Sequence, residues 1–244
     1  MKKATTKYFR NFYKARDDSF NSEKIEVTEL FPRMVQTKDL ELIMKPVLAN
    51  EIKNVLKLFQ RDKSPGLDGW TVEFFSYFFD LVSVDLVQMV EESRLYGNIP
   101  GCLNSTFLAL IPKENNPTTF GDYRLISLCN LCYKLISKII SNRIKPIMSR
   151  KMLEEQLGIL EGRRIQDAIG TSFECLHSIA KKKKNKSLIP KLDLRKAYDC
   201  VDWDFLHLIL DQVGFDSQII RWIMSCVTSP SYVVLLNGEV TDFF

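Results

Sequence analysis

Residues 188–199 read Leu-Ile-Pro-Lys-Leu-Asp-Leu-Arg-Lys-Ala-Tyr-Asp, an apolar run that delivers one carboxylate, Asp193, and passes at once into a basic and aromatic turn. The run predicts a strand, and the turn predicts the start of a helix. A carboxylate just past a buried strand, with Arg195, Lys196 and Tyr198 beside it, suits a divalent cation held against a nucleoside triphosphate, because hard cations take carboxylate and phosphate oxygens together. On its own a single acid at a strand end is uninformative. Pro190 lacks the N–H that a central strand donates, so the strand begins beyond it or leaves that position unpaired. Asp199, Asp202 and Asp204 are read as acids that cap or favour the start of the following helix, where carboxylates meet the helix dipole.

Working outward, the chain has 244 residues, 45% of them hydrophobic, which suits a folded, core-forming polypeptide. Its 34 Lys and Arg against 30 Asp and Glu give a net charge of +4, which permits a nucleic-acid partner without arguing for one. Six cysteines, only Cys129 and Cys132 close together, do not make a secreted disulfide framework, so an intracellular setting, nucleus or cytoplasm, is expected. Cys129-Asn-Leu-Cys132 has the spacing of half a zinc site, but no matching pair follows, and buried helical cysteines are the expected reading. Met1 to Arg10 lacks the apolar core of a signal peptide, and the apolar run 74–90 is broken by Asp80 and Asp85, so no membrane span is predicted.

Residues 1–46 mix charges with scattered aromatics and lack a strong period, which predicts a loosely ordered leader or linker. Ile52, Val55, Leu56 and Phe59 keep helical spacing, Ser64-Pro65-Gly66-Leu67-Asp68-Gly69 makes a tight turn, and an aromatic helix follows. Phe74, Phe75, Tyr77, Phe78 and Phe79 are expected to serve the core rather than to stack bases. A further helix through Leu86, Met89 and Val90 should stop at Gly97. Phe107 to Ile111 and Tyr123 to Leu128 predict two strands of a hairpin-like unit with Lys113 and Arg124 near its mouth. Leu131, Leu135, Ile136, Ile139 and Ile144 predict a helix ending near Pro146, and Ile165 to Ile179 another, running into Lys181-Lys182-Lys183-Lys184. Phe205 to Val213 should form a helix closed by Gly214, Ile219 to Ile223 another, and Tyr232 to Leu236 a strand before the turn signal Asn237-Gly238.

Six ordered stretches together carry a family resemblance: 63–69 (KSPGLDG), 110–113 (LIPK), 122–130 (DYRLISLCN), Tyr133-Lys134 to Asn142-Arg143, Gly162-Arg163, and 191–199 (KLDLRKAYD). The sequence resembles the reverse transcriptase of plant LINE-type, non-LTR retrotransposons over nearly its whole length. The resemblance implies an α+β fold, the fingers and partial palm of a right-hand polymerase, with a helix-rich fingers-like region at 47–187, a partial palm at 188–244, and the reverse transcriptase domain at about 105–244. It implies RNA-directed DNA polymerase activity by a two-metal mechanism with Mg2+ or Mn2+, an RNA template, a DNA primer and deoxynucleotides as partners.

By the same resemblance, Asp193 is the catalytic, metal-binding aspartate of the palm, and the Leu194 backbone carbonyl is a further ligand. Lys196 and Ala197 face the triphosphate through their amides, and Tyr198 stacks under the incoming sugar. Lys113 and Arg124 grip the nucleotide's phosphates, which suits an ammonium point charge and a forked guanidinium. Arg163, Arg164, Lys181, Lys182, Lys183 and Lys184 are candidate nucleic-acid contacts, although a charge run at a helix end is commonly just a solvated face.

The family pattern is departed from at Leu125 and Glu161, where prolines commonly stand, and at Pro190. The Gly-rich motif and the Ala-Asp-Asp hairpin that bring the remaining metal ligands are not found by Phe244, so truncation within the palm is expected. Two metals about 3.5 to 4 Å apart need several carboxylates between them. A chain with one such aspartate is expected to bind the metal weakly and to be inactive alone; the alternatives are a non-catalytic nucleic-acid-binding remnant or a poorly folding relic.

Overall fold

Strand β1 (Ser105–Pro112) pairs antiparallel with β2 (Tyr123–Cys129), in register from Thr106 opposite Cys129 to Pro112 opposite Tyr123. These are the two strands predicted around Lys113 and Arg124. In the computed structural model, residues 2–13, 22–152, 164–181, 190, 192, 198, 201–236 and 238–244 are described. On its other side β1 runs parallel to β3 (Ser231–Leu236), which carries the short antiparallel β4 (Glu239–Val240), giving the order β2-β1-β3-β4. Gly238 has φ 83°, the left-handed conformation that its turn requires. Helices outnumber strands around this small mixed sheet, and the fold is α+β.

Side chains alternate across a strand, and the register sorts the sheet into two faces. Leu108, Leu110, Leu125, Tyr232, Val234 and Leu236 share one face, and they pack with Phe9 and Tyr13 of α1 (Lys2–Tyr13). Phe9 is 1% exposed, Tyr13 stacks on Tyr232 at 4.9 Å between ring centroids, and Lys2 pairs with Glu239 at 2.6 Å. Loose order at 1–46 is therefore corrected in the described part. Helix α1, α2 (Ser22–Glu29) and α3 (Thr37–Ile43) form there, and Phe9 and Ile43 are core. Their apolar residues are few but are matched by apolar surface distant in sequence, which local periodicity cannot register.

Two compact units divide the chain, Met1–Ser141 with Asp202–Phe244, and Asn142–Val201. In the first, α4 (Ala49–Leu58) buries Ile52, Val55 and Leu56, the stripe its spacing predicted, against α6 (Phe79–Tyr96). Helix α6 ends at Gly97, whose φ of 60° is the left-handed terminus expected of it. Helices α9 (Trp203–Val213) and α10 (Ser217–Thr228) pack together, with Gly214 at φ 103° between them. Asp202 caps α9 by accepting from the Phe205 N–H at 2.8 Å, as the capping reading expected. Trp222 is fully buried in α10, and its indole N–H donates to Ser93 Oγ at 3.1 Å.

Between α4 and α6, α5 (Val72–Tyr77) starts at Thr71, whose hydroxyl accepts from the Phe74 N–H. Only Phe75 and Phe79 of its aromatic cluster are buried, whereas Tyr77 and Phe78 are exposed, which corrects the expectation that the group is core.

Helix α7 (Leu131–Lys151) also differs from its prediction, since it passes through Pro146 rather than ending there. Proline removes one i to i−4 bond at a cost of about 3 kcal/mol, yet it does not forbid helical φ beyond itself. Bonding resumes past it, and the Met152 N–H donates to Met148 O at 2.9 Å. In the second unit, α8 (Ile165–Lys181) forms as predicted, with Ile169, Phe173 and Leu176 of its apolar stripe exposed. No described helix is long and apolar enough to cross a membrane.

Candidate nucleotide and nucleic-acid contact site

The β1–β2 hairpin is long because nine residues separate Pro112 from the 3-10 turn's end, and polar bonds rather than apolar contacts fix its bend. A short 3-10 turn (Phe120–Asp122) leads into β2. The Asp122 carboxylate accepts from the Thr118 and Thr119 N–H groups at 3.0 and 2.7 Å and from the Thr119 hydroxyl at 3.0 Å. These donors favour the ionised form, led by the Thr119 N–H, and hold the Asp122 carboxyl below its ordinary value. Backbone closure follows, with the Lys113 N–H donating to Asp122 O at 2.8 Å.

The two predicted cations at this mouth are not equivalent. Lys113 Nζ donates to Gly121 O at 2.7 Å and so ties the bend across its own mouth. Arg124 stands opposite Ile111 on β2 and is exposed, and its guanidinium makes no hydrogen bond or ion pair with the described residues. By alternation it lies on the sheet face away from α1, beside the exposed Ile111 and Ile126. A guanidinium held on a paired strand with its donors free of the described residues is suited to a phosphate arriving from solvent.

The far end of the hairpin is anchored by Asn130, 3% exposed, directly after β2. Its side-chain Nδ2 donates to Cys102 O at 3.2 Å and its Oδ1 accepts from the Asp68 N–H at 3.3 Å. Gly66 lies so close that an added Cβ would stand 2.4 Å from Asn130 Oδ1 and 2.5 Å from its backbone N. Glycine is required at 66 because backbone meets backbone there. The 63–69 motif is thus docked on the strand that carries Arg124. The residues Asn130 and Asp122 lie inside motif matches that gave them no role; their signal was a polar side chain adjoining a strand end.

Of the remaining candidates, Tyr198, Arg164 and Lys181 are described in the second unit and are exposed. Asp193, Leu194, Lys196, Ala197, Arg163, Lys182, Lys183 and Lys184 lie outside the described residues. Among the described residues no group of three or more His, Cys, Asp or Glu could hold a metal ion, and Asp193, the expected ligand, lies outside them. Cys129 and Cys132 are free, half-buried thiols; Cys132 lies in α7, where burial pushes its thiol up to about 11, but Cys129 ends β2, which corrects the expectation of buried helical cysteines.

The arrangement of hairpin, bend and following helix can be compared with known proteins. Residues 111–243, more than half of the chain, match the family model described as reverse transcriptase (RNA-dependent DNA polymerase). The chain belongs to the reverse transcriptase family. The matched region begins at Ile111, opposite Arg124, and takes in β2, α7 through α10 and the β3–β4 hairpin. This reverse transcriptase chain is similar to the transposon TX1 uncharacterized 149 kDa protein of Xenopus laevis, 29% identical over 208 residues, 85% of this chain and 16% of that protein. It is also similar to the retrovirus-related Pol polyprotein from type-1 retrotransposable element R2 of Popillia japonica, 20% identical over 190 residues, 78% of this chain and 26% of that one. The chain spans about a sixth and about a quarter of the length of these relatives.

Proposed function

We propose that this chain supplies the fingers, about 47–187, and the beginning of the palm, 188–244, of an RNA-directed DNA polymerase of the non-LTR retrotransposon class, of the plant LINE type. The observation that carries the reading is the family match across the strand on which Arg124 is exposed and unbonded to the described side chains. The transposon names of its relatives support the class. Arg124 grips the triphosphate of the incoming deoxynucleotide. Lys113 braces the bend that presents it, rather than serving as an equal second grip, because its ammonium is bonded to Gly121 O. Such a grip works through charge, since phosphoryl transfer gains most from positioning and from neutralising the transferring group.

Asp193 is the metal-binding aspartate in this reading, with the Leu194 carbonyl beside it, Lys196 and Ala197 at the triphosphate, and Tyr198 under the sugar. Arg163, Arg164 and Lys181 to Lys184 contact the template or primer backbone. When bound, Mg2+ would supply charge neutralisation at the phosphates. With one such aspartate among these 244 residues, the chain alone is expected not to polymerise. Primer extension on an RNA template with Mg2+ and deoxynucleotides tests this: no incorporation is expected, and incorporation abolished by Asp193→Ala would contradict it. A second reading, a nucleic-acid-binding module without catalysis, draws on the cations Lys113, Arg124, Arg163, Arg164 and Lys181 to Lys184. Salt-weakened RNA binding without incorporation supports it, and affinity indifferent to salt counts against it.

A further inference from the structure

Trp70, Phe74, Phe78 and Tyr77 form a continuous run of touching rings at the surface. The centroids of Trp70 and Phe74 are 4.2 Å apart, those of Phe74 and Phe78 5.1 Å, and those of Tyr77 and Phe78 4.8 Å. Trp70 is 48% exposed, Phe78 41% and Tyr77 84%, while their neighbours Phe75 and Phe79 take up the core positions of the same helices. The core therefore does not account for this run.

The rings stand on a fixed support. The loop that ends at Trp70 is docked on Asn130 through the Asp68 N–H and the close approach of Gly66, and the Trp70 N–H donates to Asp68 Oδ1 at 3.1 Å. Asn130 directly follows the strand of Arg124, six residues and about 20 Å along it, so rings and guanidinium are carried on the same hairpin. Two exposed cations, Arg61 and Lys63, open the loop. The nearby Glu73 is engaged by the Asp62 N–H at 2.9 Å and faces the charge of Arg61.

We propose that Trp70, Phe74, Tyr77 and Phe78 are a stacking platform for unpaired bases of a single-stranded nucleic acid, with Arg61 and Lys63 on its phosphates. Every base has a π-face, so such a platform takes any sequence, and aromatic rings next to cations on a rigid loop are the composition it needs. This rests on the reading of the chain as a polymerase that follows a single-stranded template. It names the residues that hold the strand away from the nucleotide grip.

The test is fluorescence-anisotropy titration of the full 244-residue chain with a labelled, unstructured 12-nucleotide RNA and with a duplex of the same length. Trp70→Ala, Trp70→Phe, Tyr77→Ala and Arg124→Ala are compared with the parent. Both side chains chosen for the platform are exposed, and circular dichroism checks that the variants fold. Trp70→Ala and Tyr77→Ala should each weaken single-strand binding about fivefold to tenfold, with the salt slope and duplex binding unchanged, and Trp70→Phe should restore most of the loss. Single-strand binding unchanged in both alanine variants would overturn the platform, while a loss in Arg124→Ala in the same experiment would leave the polymerase reading standing. Equal loss on single strand and duplex would overturn it as well. So would self-association that Trp70→Ala abolishes without affecting RNA, which would assign the rings to a protein contact. A parent chain that binds neither RNA would overturn both readings.

Discussion

Asp122 shows how one side chain sets the geometry of the candidate grip. Its carboxylate gathers the Thr118 and Thr119 N–H groups, and its own carbonyl closes the bend on Lys113. Because those donors depress its folded pKa below the ordinary aspartate value, the unfolded chain takes up the proton first. The contribution is full above that ordinary value and is lost as pH falls through the folded one, in the window below about 4. Urea titrations across pH 3 to 6 should therefore show Asp122→Asn flattening the acid side of the stability profile. A parallel profile in variant and parent would remove Asp122 from this role. At this scale the sequence exposed charges but not their commitments. Lys113 and Arg124 both stand beside strands, and the fold adds that the Lys113 ammonium is bonded to Gly121 O while the Arg124 guanidinium has no bond to the described residues.

Elements were legible wherever a period or a stop signal was strong. Ile52, Val55 and Leu56 marked α4, Gly97 and Gly214 marked helix ends by their left-handed φ, and the two strands about Lys113 and Arg124 formed as an antiparallel pair. What failed depended on partners remote in the chain. Helix α1 is amphipathic over only three turns, and its order comes from the sheet it covers, where Phe9 meets Leu108 and Val234. Phe9→Ala should cost about 3 to 5 kcal/mol, read as a lower urea midpoint at unchanged m-value. A change below about 1 kcal/mol would mean that α1 is not part of the folded core. Pro146 misled in the opposite sense, since the local rule for proline was outweighed by the helix on either side of it. The aromatic segment 74–79 was divided by helical phase, with Phe75 and Phe79 inward and Tyr77 and Phe78 outward, a distinction its uniform composition hid.

For the whole molecule, family was readable from ordered motifs, and the family model spans residues 111–243. The geometry adds what motif matching could not: Arg124 is presented, free of the other described side chains, on a strand anchored at one end by the Asp122 bend and at the other by Asn130. We propose that this assembly grips the phosphates of a nucleotide, chiefly through Arg124. It is tested most directly by titrating a fluorescent deoxynucleoside triphosphate at two salt concentrations against the parent, Arg124→Ala and Lys113→Ala. Losing a charge-assisted contact of about 1.5 to 3 kcal/mol should weaken binding at least tenfold in Arg124→Ala and reduce its salt dependence, with a smaller loss in Lys113→Ala. Undiminished binding in Arg124→Ala, or a larger loss in Lys113→Ala, would contradict the account.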